Sequence, residues 1–277
     1  MKNEFIHITP QKWQEFNPPS TDFLADYLVW QLKKYSNLQK EKKTFLELKK
    51  APFIIGVAGS VAAGKSTFAQ KLNDLLARKF PQLKSIVVST DGFLMSNTEL
   101  QAKGIMEQKG FPVSFNWRAL TNFLCAVKSG KQNVPYRLYS QEISDLVPDK
   151  LGKINDIDIL IIEGINILQI PPNAQGQIPS DFLDLGIYLD SSDDNLEYWF
   201  MERFHNLLKQ NKDNPGNFYY EWANGPIKKA DAMAKQVWRD VNYKNLVDYI
   251  APSKERADLI IEKQKDHSFS DFYIKKF

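Results

Sequence analysis

Nine consecutive residues, Gly59-Ser60-Val61-Ala62-Ala63-Gly64-Lys65-Ser66-Thr67, constrain this chain more than any other feature. They match G-x-x-x-x-G-K-[ST] in full and stand directly behind an apolar run, Phe53-Ile54-Ile55-Gly56-Val57-Ala58. Behind them Phe68, Leu72, Leu75 and Leu76 recur on one helical face. A strand feeding a glycine-rich turn and then an amphipathic helix is a phosphate cradle. Gly59 and Gly64 let the backbone turn tightly, so that successive N–H groups point at phosphate oxygens, and the helix start adds the positive end of its dipole. In that frame Lys65 reaches the β- and γ-phosphates of a nucleotide, and the Ser66 hydroxyl ligates Mg²⁺. Average composition gives roughly one accidental match per hundred chains of this length. The strand before it and the helix after it set this match apart from chance.

Similar β-branched runs recur at Ser85-Ile86-Val87-Val88-Ser89, Asp158-Ile159-Leu160-Ile161-Ile162, Leu185-Gly186-Ile187-Tyr188-Leu189 and Asp258-Leu259-Ile260-Ile261, with helical patterns between them. Strands alternating with helices imply right-handed crossover units and an α/β three-layer sandwich of the P-loop NTPase kind, with a mostly parallel sheet covered by helices on both faces. The catalytic domain is expected over residues 51–277, with a substrate or lid insertion over about 92–150 and lid helices over about 194–245. Residues 1–50 read as a polar, helical extension packed on that core: Phe23, Leu24, Tyr27, Leu28 and Leu32 fall at helical spacing, and the lysine-rich run from Lys40 to Lys50 reads as a solvated face.

Open parallel sheets bind ligands at the carboxyl ends of their strands, so the residues just after each run are the candidates for chemistry. The second run ends in Thr90-Asp91-Gly92-Phe93-Leu94. Asp91 suits a general base facing the γ-phosphate, and equally suits a helix N-cap or a second carboxylate beside Mg²⁺. The third ends in Ile162-Glu163-Gly164, which puts Glu163 where an acid can hold Mg²⁺ directly or through water. Farther on, Arg203 lies among Trp199, Phe200 and Phe204 on a helical stretch. It can fold over the phosphates as a lid or simply pack its stem with the head in water. The base-reading N-K-x-D tetrapeptide of GTPases does not occur.

Bulk properties remove other classes. With 277 residues, 43% of them hydrophobic, the chain can bury a large core without staples. A net charge of +3 and interspersed lysines and acids give no strong pull toward nucleic acid or membrane. The single cysteine, Cys125, excludes an intrachain disulfide, suits a reducing cytoplasm and reads as a buried structural thiol. Met1 to Trp13 lacks the apolar core of a signal peptide, and no run approaches eighteen apolar residues, so a soluble cytoplasmic protein is expected.

The assembled residues resemble type I pantothenate kinase, a family related to uridine kinases and phosphoribulokinases, from about Phe53 to His267. Besides the glycine-rich loop and Thr90-Asp91-Gly92-Phe93-Leu94, the resemblance rests on Lys109-Gly110-Phe111-Pro112, Leu138-Tyr139-Ser140, Glu163-Gly164-Ile165-Asn166-Ile167-Leu168-Gln169, Arg203-Phe204 and Glu255-Arg256-Ala257-Asp258-Leu259-Ile260. It implies phosphorylation of the primary hydroxyl of pantothenate by MgATP, the first step toward coenzyme A, in a homodimeric cytoplasmic enzyme. It implies Asp91 as general base, Lys65 and Arg203 as stabilisers of the transferring group, and Lys263 and His267 beside the adenine. Tyr139 and Asn242 would hydrogen-bond pantothenate, and Lys109, Gln141 and Phe200 would belong to the same substrate site.

Departures from the family pattern cluster at that site. Gln141 stands where the family has histidine, Ser144 where it has tyrosine, and Phe200 where it has a tyrosine whose hydroxyl would reach the substrate. Gln70 replaces an arginine that helps hold the inhibitor coenzyme A, so weak coenzyme A binding is expected. The alternatives are a P-loop kinase for another hydroxylated small molecule (a pantothenate analogue, nucleoside or sugar) or a catalytically weak nucleotide-binding regulator.

Overall fold

The computed structural model describes residues 4–15, 22–47 and 51–276. Its centre is the strand ahead of the glycine-rich loop. In chain order the strands are β1 (Phe5–Ile8), β2 (Phe53–Gly59), β3 (Ser85–Ser89), β4 (Val134–Ser140), β5 (Asp145–Ile154), β6 (Ile159–Glu163), β7 (Leu185–Asp190), β8 (Leu259–Lys263) and β9 (Phe269–Lys275). Every residue of β2 and β6 is buried, as continuous apolar runs require when helices cover both faces of a sheet. Seven strands form one sheet in the order β1-β9-β8-β7-β2-β6-β3, and β4 and β5 form a separate hairpin. From β3 to β8 the pairing is parallel, so the sheet carries all five strands expected from the apolar runs.

Register sets the chemistry. Glu163 at the end of β6 lies opposite Val57 on one side and Ser89 on the other. Gly59, where the phosphate loop begins, lies opposite Leu189. The carboxyl ends of β2, β3 and β6 therefore open side by side.

The helices are α1 (Pro10–Gln14), α2 (Phe23–Leu46), α3 (Lys65–Lys79), α4 (Asn97–Ala102), α5 (Trp117–Lys128), α6 (Asp193–Asn211), α7 (Tyr220–Asn224) and α8 (Ile227–Val237). Asp22 caps α2 through the Ala25 N–H, and Phe23, Tyr27, Leu28 and Leu32 bury the first half of that helix in the core. Residues 40–47 are exposed, and 48–50 lie outside the described residues. The extension is not all helical: β1 pairs antiparallel with β9, burying Phe5 and Ile8 and covering an edge that would otherwise present unpaired backbone groups. Cys125 is half-buried against the core rather than fully enclosed.

Beyond α8 the chain continues in wide π-helical turns, Trp238–Tyr243 and Leu246–Ile250, before descending to β8. Such turns are rare and concentrate at functional sites. Among the described residues no helix is long and apolar enough to cross a membrane.

Candidate active site

The loop between β2 and α3 is built to approach an anion. Gly59 has φ +146°, and a Cβ there would stand 2.7 Å from the Leu189 carbonyl oxygen, so only glycine lets β2 turn this close to β7. Ala62 (φ 66°) and Gly64 (φ 82°) both take left-handed backbone, while Ser60, Val61, Ala63 and Thr67 complete the loop and the first turn of α3. Concave runs of amides with alternating handedness are anion nests. Lys65 donates from Nζ to the Ser60 carbonyl oxygen at 2.8 Å, folding its ammonium back across its own loop. Burial pulls the Lys65 pKa down from the ordinary lysine range, with Glu163 and Asp91 pulling it back up.

Behind the lysine, the Ser66 hydroxyl donates to Oε1 of buried Glu163 at 3.0 Å. These hard oxygen donors match the Mg²⁺ preference for one or two carboxylates with phosphate oxygens completing the shell. Among the described residues there is no cluster of three or more His, Cys, Asp or Glu side chains that would make an all-protein metal cage.

Asp91 enters from the other side, on a short 3₁₀ turn, Thr90–Phe93, that follows β3. The capping role that the sequence left open for it belongs to Ser89, whose Oγ accepts from the Asp91 N–H at 3.3 Å. The Asp91 carboxylate is thereby left for the cleft. Burial, with the negative Glu163 nearby, pushes its pKa above the ordinary aspartate range, and Lys65, Arg203 and Lys109 pull against that. Gln141, in the turn joining β4 to β5, donates from Nε2 to Asp91 Oδ2 at 3.3 Å. Arg203 of α6 donates from Nη2 to the Gln141 Oε1 at 3.1 Å. Lys65, Glu163, Asp91, Gln141 and Arg203 thus share one electrostatic neighbourhood.

Lys109 and Tyr139 line the adjoining wall. The Lys109 ammonium lies 5.4 Å from the Tyr139 ring centroid and donates to Asn97 Oδ1 at 2.6 Å and to the Ser144 carbonyl oxygen. Ser144, a departure at the side-chain level, meets Lys109 through its carbonyl, and its side chain hydrogen-bonds Tyr139. Burial, with Asp91 and Asp145 adding to it, pushes the Tyr139 phenol up to about 12, so it stays a neutral donor.

The remaining candidates fall into two groups. Lys263 is buried, donates to the Ala63 carbonyl oxygen at 2.6 Å and lies 4.9 Å from the Trp199 ring centroid. His267 stacks on the same indole at 4.5 Å. Trp199 is thus a plate that both contact, and its own N–H donates to the Lys265 carbonyl oxygen at 3.0 Å. Sequence reasoning saw Trp199 only as a neighbour of Arg203; its partners come from β8 and the turn after it, too distant in the chain for spacing to reveal. Phe200 packs on Trp238 at 5.4 Å. Asn242 donates to the Val237 carbonyl oxygen at 3.5 Å, and among the described residues no hydrogen bond joins it to the charged cluster. Three residues on, Asn245 is buried and reaches across to the Gly110 carbonyl oxygen at 2.9 Å, tying the π-helical segment to the loop that carries Lys109.

A loop that only stores nucleotide has no use for a carboxylate across the cleft from its lysine; with Asp91 there, fold and site define a phosphotransferase of the P-loop class. The model of the phosphoribulokinase / uridine kinase family matches residues 54–203. A pantothenate kinase of Latilactobacillus sakei is 44% identical over 92% of this chain and 82% of its own length. One of Streptococcus pneumoniae is 38% identical over the full length of both. The chain belongs to the pantothenate kinases, within the phosphoribulokinase / uridine kinase family. Among solved structures, D-glycerate 3-kinase of Cryptococcus neoformans has the same fold at a TM-score of 0.62 and 13% identity, over 89% of this chain and 97% of its own.

Proposed function

We propose that this protein transfers the γ-phosphoryl group of ATP to the primary hydroxyl of pantothenate, the entry step to coenzyme A. The observation that carries the reading is the placement of Asp91, freed from capping, in the same charged neighbourhood as the phosphate loop. Chain-long similarity to pantothenate kinases supports the choice of alcohol.

In this reading Asp91 orients the hydroxyl and takes its proton as the oxygen attacks. Its raised pKa brings it closer to the working pH and makes it a better base than an exposed aspartate. Lys65 leaves the Ser60 carbonyl for the phosphates, and Arg203 neutralises charge on the transferring group from the lid side. Ser66 and Glu163 would hold Mg²⁺, which supplies neutralisation of the phosphate oxygens when bound. Tyr139 and Lys109 line the acceptor side, with the 92–150 insertion as the substrate wall and the helices of about 194–245 as the lid. Trp199, Lys263 and His267 form the adenine end. Cytoplasmic location and homodimeric assembly belong to the same proposal, on the strength of the family resemblance.

ATP consumption measured over pantothenate, pantetheine, uridine, glycerate and ribulose 5-phosphate tests the substrate. Turnover with pantothenate alone is expected; turnover only with another alcohol would replace it.

Coenzyme A inhibition is expected to be weak. Gln70 lies exposed on α3 with its amide directed to Asp74 at 3.0 Å, and at Gln141 a neutral amide faces Arg203. Neither side chain offers a cation to a phosphate. Initial rates at varied ATP check this, and submicromolar competition by coenzyme A would refute it.

A further inference from the structure

The base and the lid arginine do not touch each other. Among the described residues no ion pair joins Asp91 to Arg203. One neutral amide stands between them, giving its N–H to the carboxylate at 3.3 Å and taking the guanidinium N–H on its oxygen at 3.1 Å. That is the one orientation of the amide that satisfies both charges, since the reverse sets oxygen against carboxylate and N–H against guanidinium. The turn carrying Gln141 is pinned on both shoulders. Buried Asn217, from the segment after α6, donates to the Glu142 carbonyl oxygen at 3.2 Å, and Lys109 donates to the Ser144 carbonyl oxygen.

We propose that Gln141 is a positioning residue that couples the lid arginine to the base while keeping the two from pairing. This rests on the assignment of Asp91 as base. A direct Asp91–Arg203 contact would stabilise the carboxylate as a fixed anion and occupy the donors the phosphoryl group needs. The interposed amide holds Arg203 over the cleft, leaves Asp91 able to accept a proton, and carries no titrating group of its own. The charged and titratable groups around it are its two partners, Asp91 and Arg203, and those coupled to them, Lys65, Glu163, Lys109, Tyr139 and Tyr219, with Asp145 coupled to Tyr139.

The test is steady-state kinetics of wild type, Gln141→Ala and Gln141→His from pH 5.5 to 8.5, with Asp91→Asn as reference. Gln141→Ala is expected to lose about tenfold in kcat, the worth of one charge-assisted hydrogen bond, at every pH, with the KM for ATP within about twofold of wild type. Gln141→His is expected to recover most of that rate at pH 8, where a neutral imidazole donates with one nitrogen and accepts with the other. Below its ordinary pKa of about 6.5 the ring becomes a double donor and a cation, and Arg203 is released. Beyond the acid limb that Asp91 as base gives wild type as well, the His variant should therefore show an added acid-side inflection near that imidazole pKa. Gln141→Ala within twofold of wild type while Asp91→Asn is disabled would overturn the coupling and leave the base in place; so would a His variant with the wild-type profile. Wild type idle with pantothenate would instead overturn the substrate reading, and the coupling is then read on the alcohol the screen identifies. Idleness with every alcohol overturns both.

Discussion

Asp91→Asn is expected to lower kcat with pantothenate by about 10²- to 10⁴-fold, the usual worth of a general base, while ATP affinity stays within a few-fold of wild type. The split follows from geometry. Phosphate binding is assigned to the β2–α3 loop, which Asp91 does not touch, and Asn keeps the shape of the carboxylate but not its basicity. The same substitution is expected to raise stability at neutral pH. Asp91 has a folded-state pKa above its unfolded value, with burial the largest cause. The sign is that of a group harder to ionise in the native state: stability is full below the unfolded pKa, near 3.8, and is lost as pH rises through the folded value. At neutral pH the wild type carries that loss, and asparagine does not. Calorimetry at pH 7 and at successively lower pH should find Asp91→Asn melting higher than wild type, with the gap narrowing on acidification. A kcat reduced less than tenfold would remove Asp91 from the base role, and an unchanged melting temperature at pH 7 would show that Lys65, Arg203 and Lys109 offset its burial entirely.

How far the sequence reached depends on whether each feature is local. The phosphate loop and the five parallel strands were legible because β2 and β6 are buried on both faces and spell that out as unbroken apolar runs. The β4–β5 hairpin was not, because β5 is largely solvent-facing and carries no alternation to read. Strands β1 and β9 escaped for another reason: each is explained by the partner it covers, and the pair lies at opposite ends of the chain. Asp91 was found but not decided, since capping and catalysis ask for the same residue type after a strand; the Ser89 hydroxyl takes the capping role and so removes that one alternative. The bond from Lys263 to the Ala63 carbonyl oxygen and the stack of His267 on Trp199 depend on tertiary closure alone.

Gly164 shows a constraint that a motif carries without stating. Gly164→Ala is expected to destabilise the protein by about 1–3 kcal/mol, the usual cost of overpacking a filled core, and to depress kcat together with it. A Cβ on residue 164 would fall 1.7 Å from Thr90 Oγ1, 2.8 Å from its Cβ and 3.0 Å from its Cγ2. Thr90 has no exposed surface to swing toward, and the backbone at 164 is held by its own N–H to the Val57 carbonyl oxygen at 3.0 Å. The 3₁₀ turn must therefore give way, and the next residue on that turn is Asp91. Displacing a reacting group by about 1 Å can cost on the order of 10²-fold in rate. Trimming the obstacle separates this mechanism from general damage. Thr90→Ala removes the two outer atoms and leaves only the Cβ contact, so the double variant should melt higher and turn over faster than Gly164→Ala alone, with a coupling above about 0.5 kcal/mol. Additive losses would mean that the two side chains do not compete for the same space. The absent side chain at position 164 is then what lets β6 and the turn after β3 lie close enough for Glu163 and Asp91 to face one cleft.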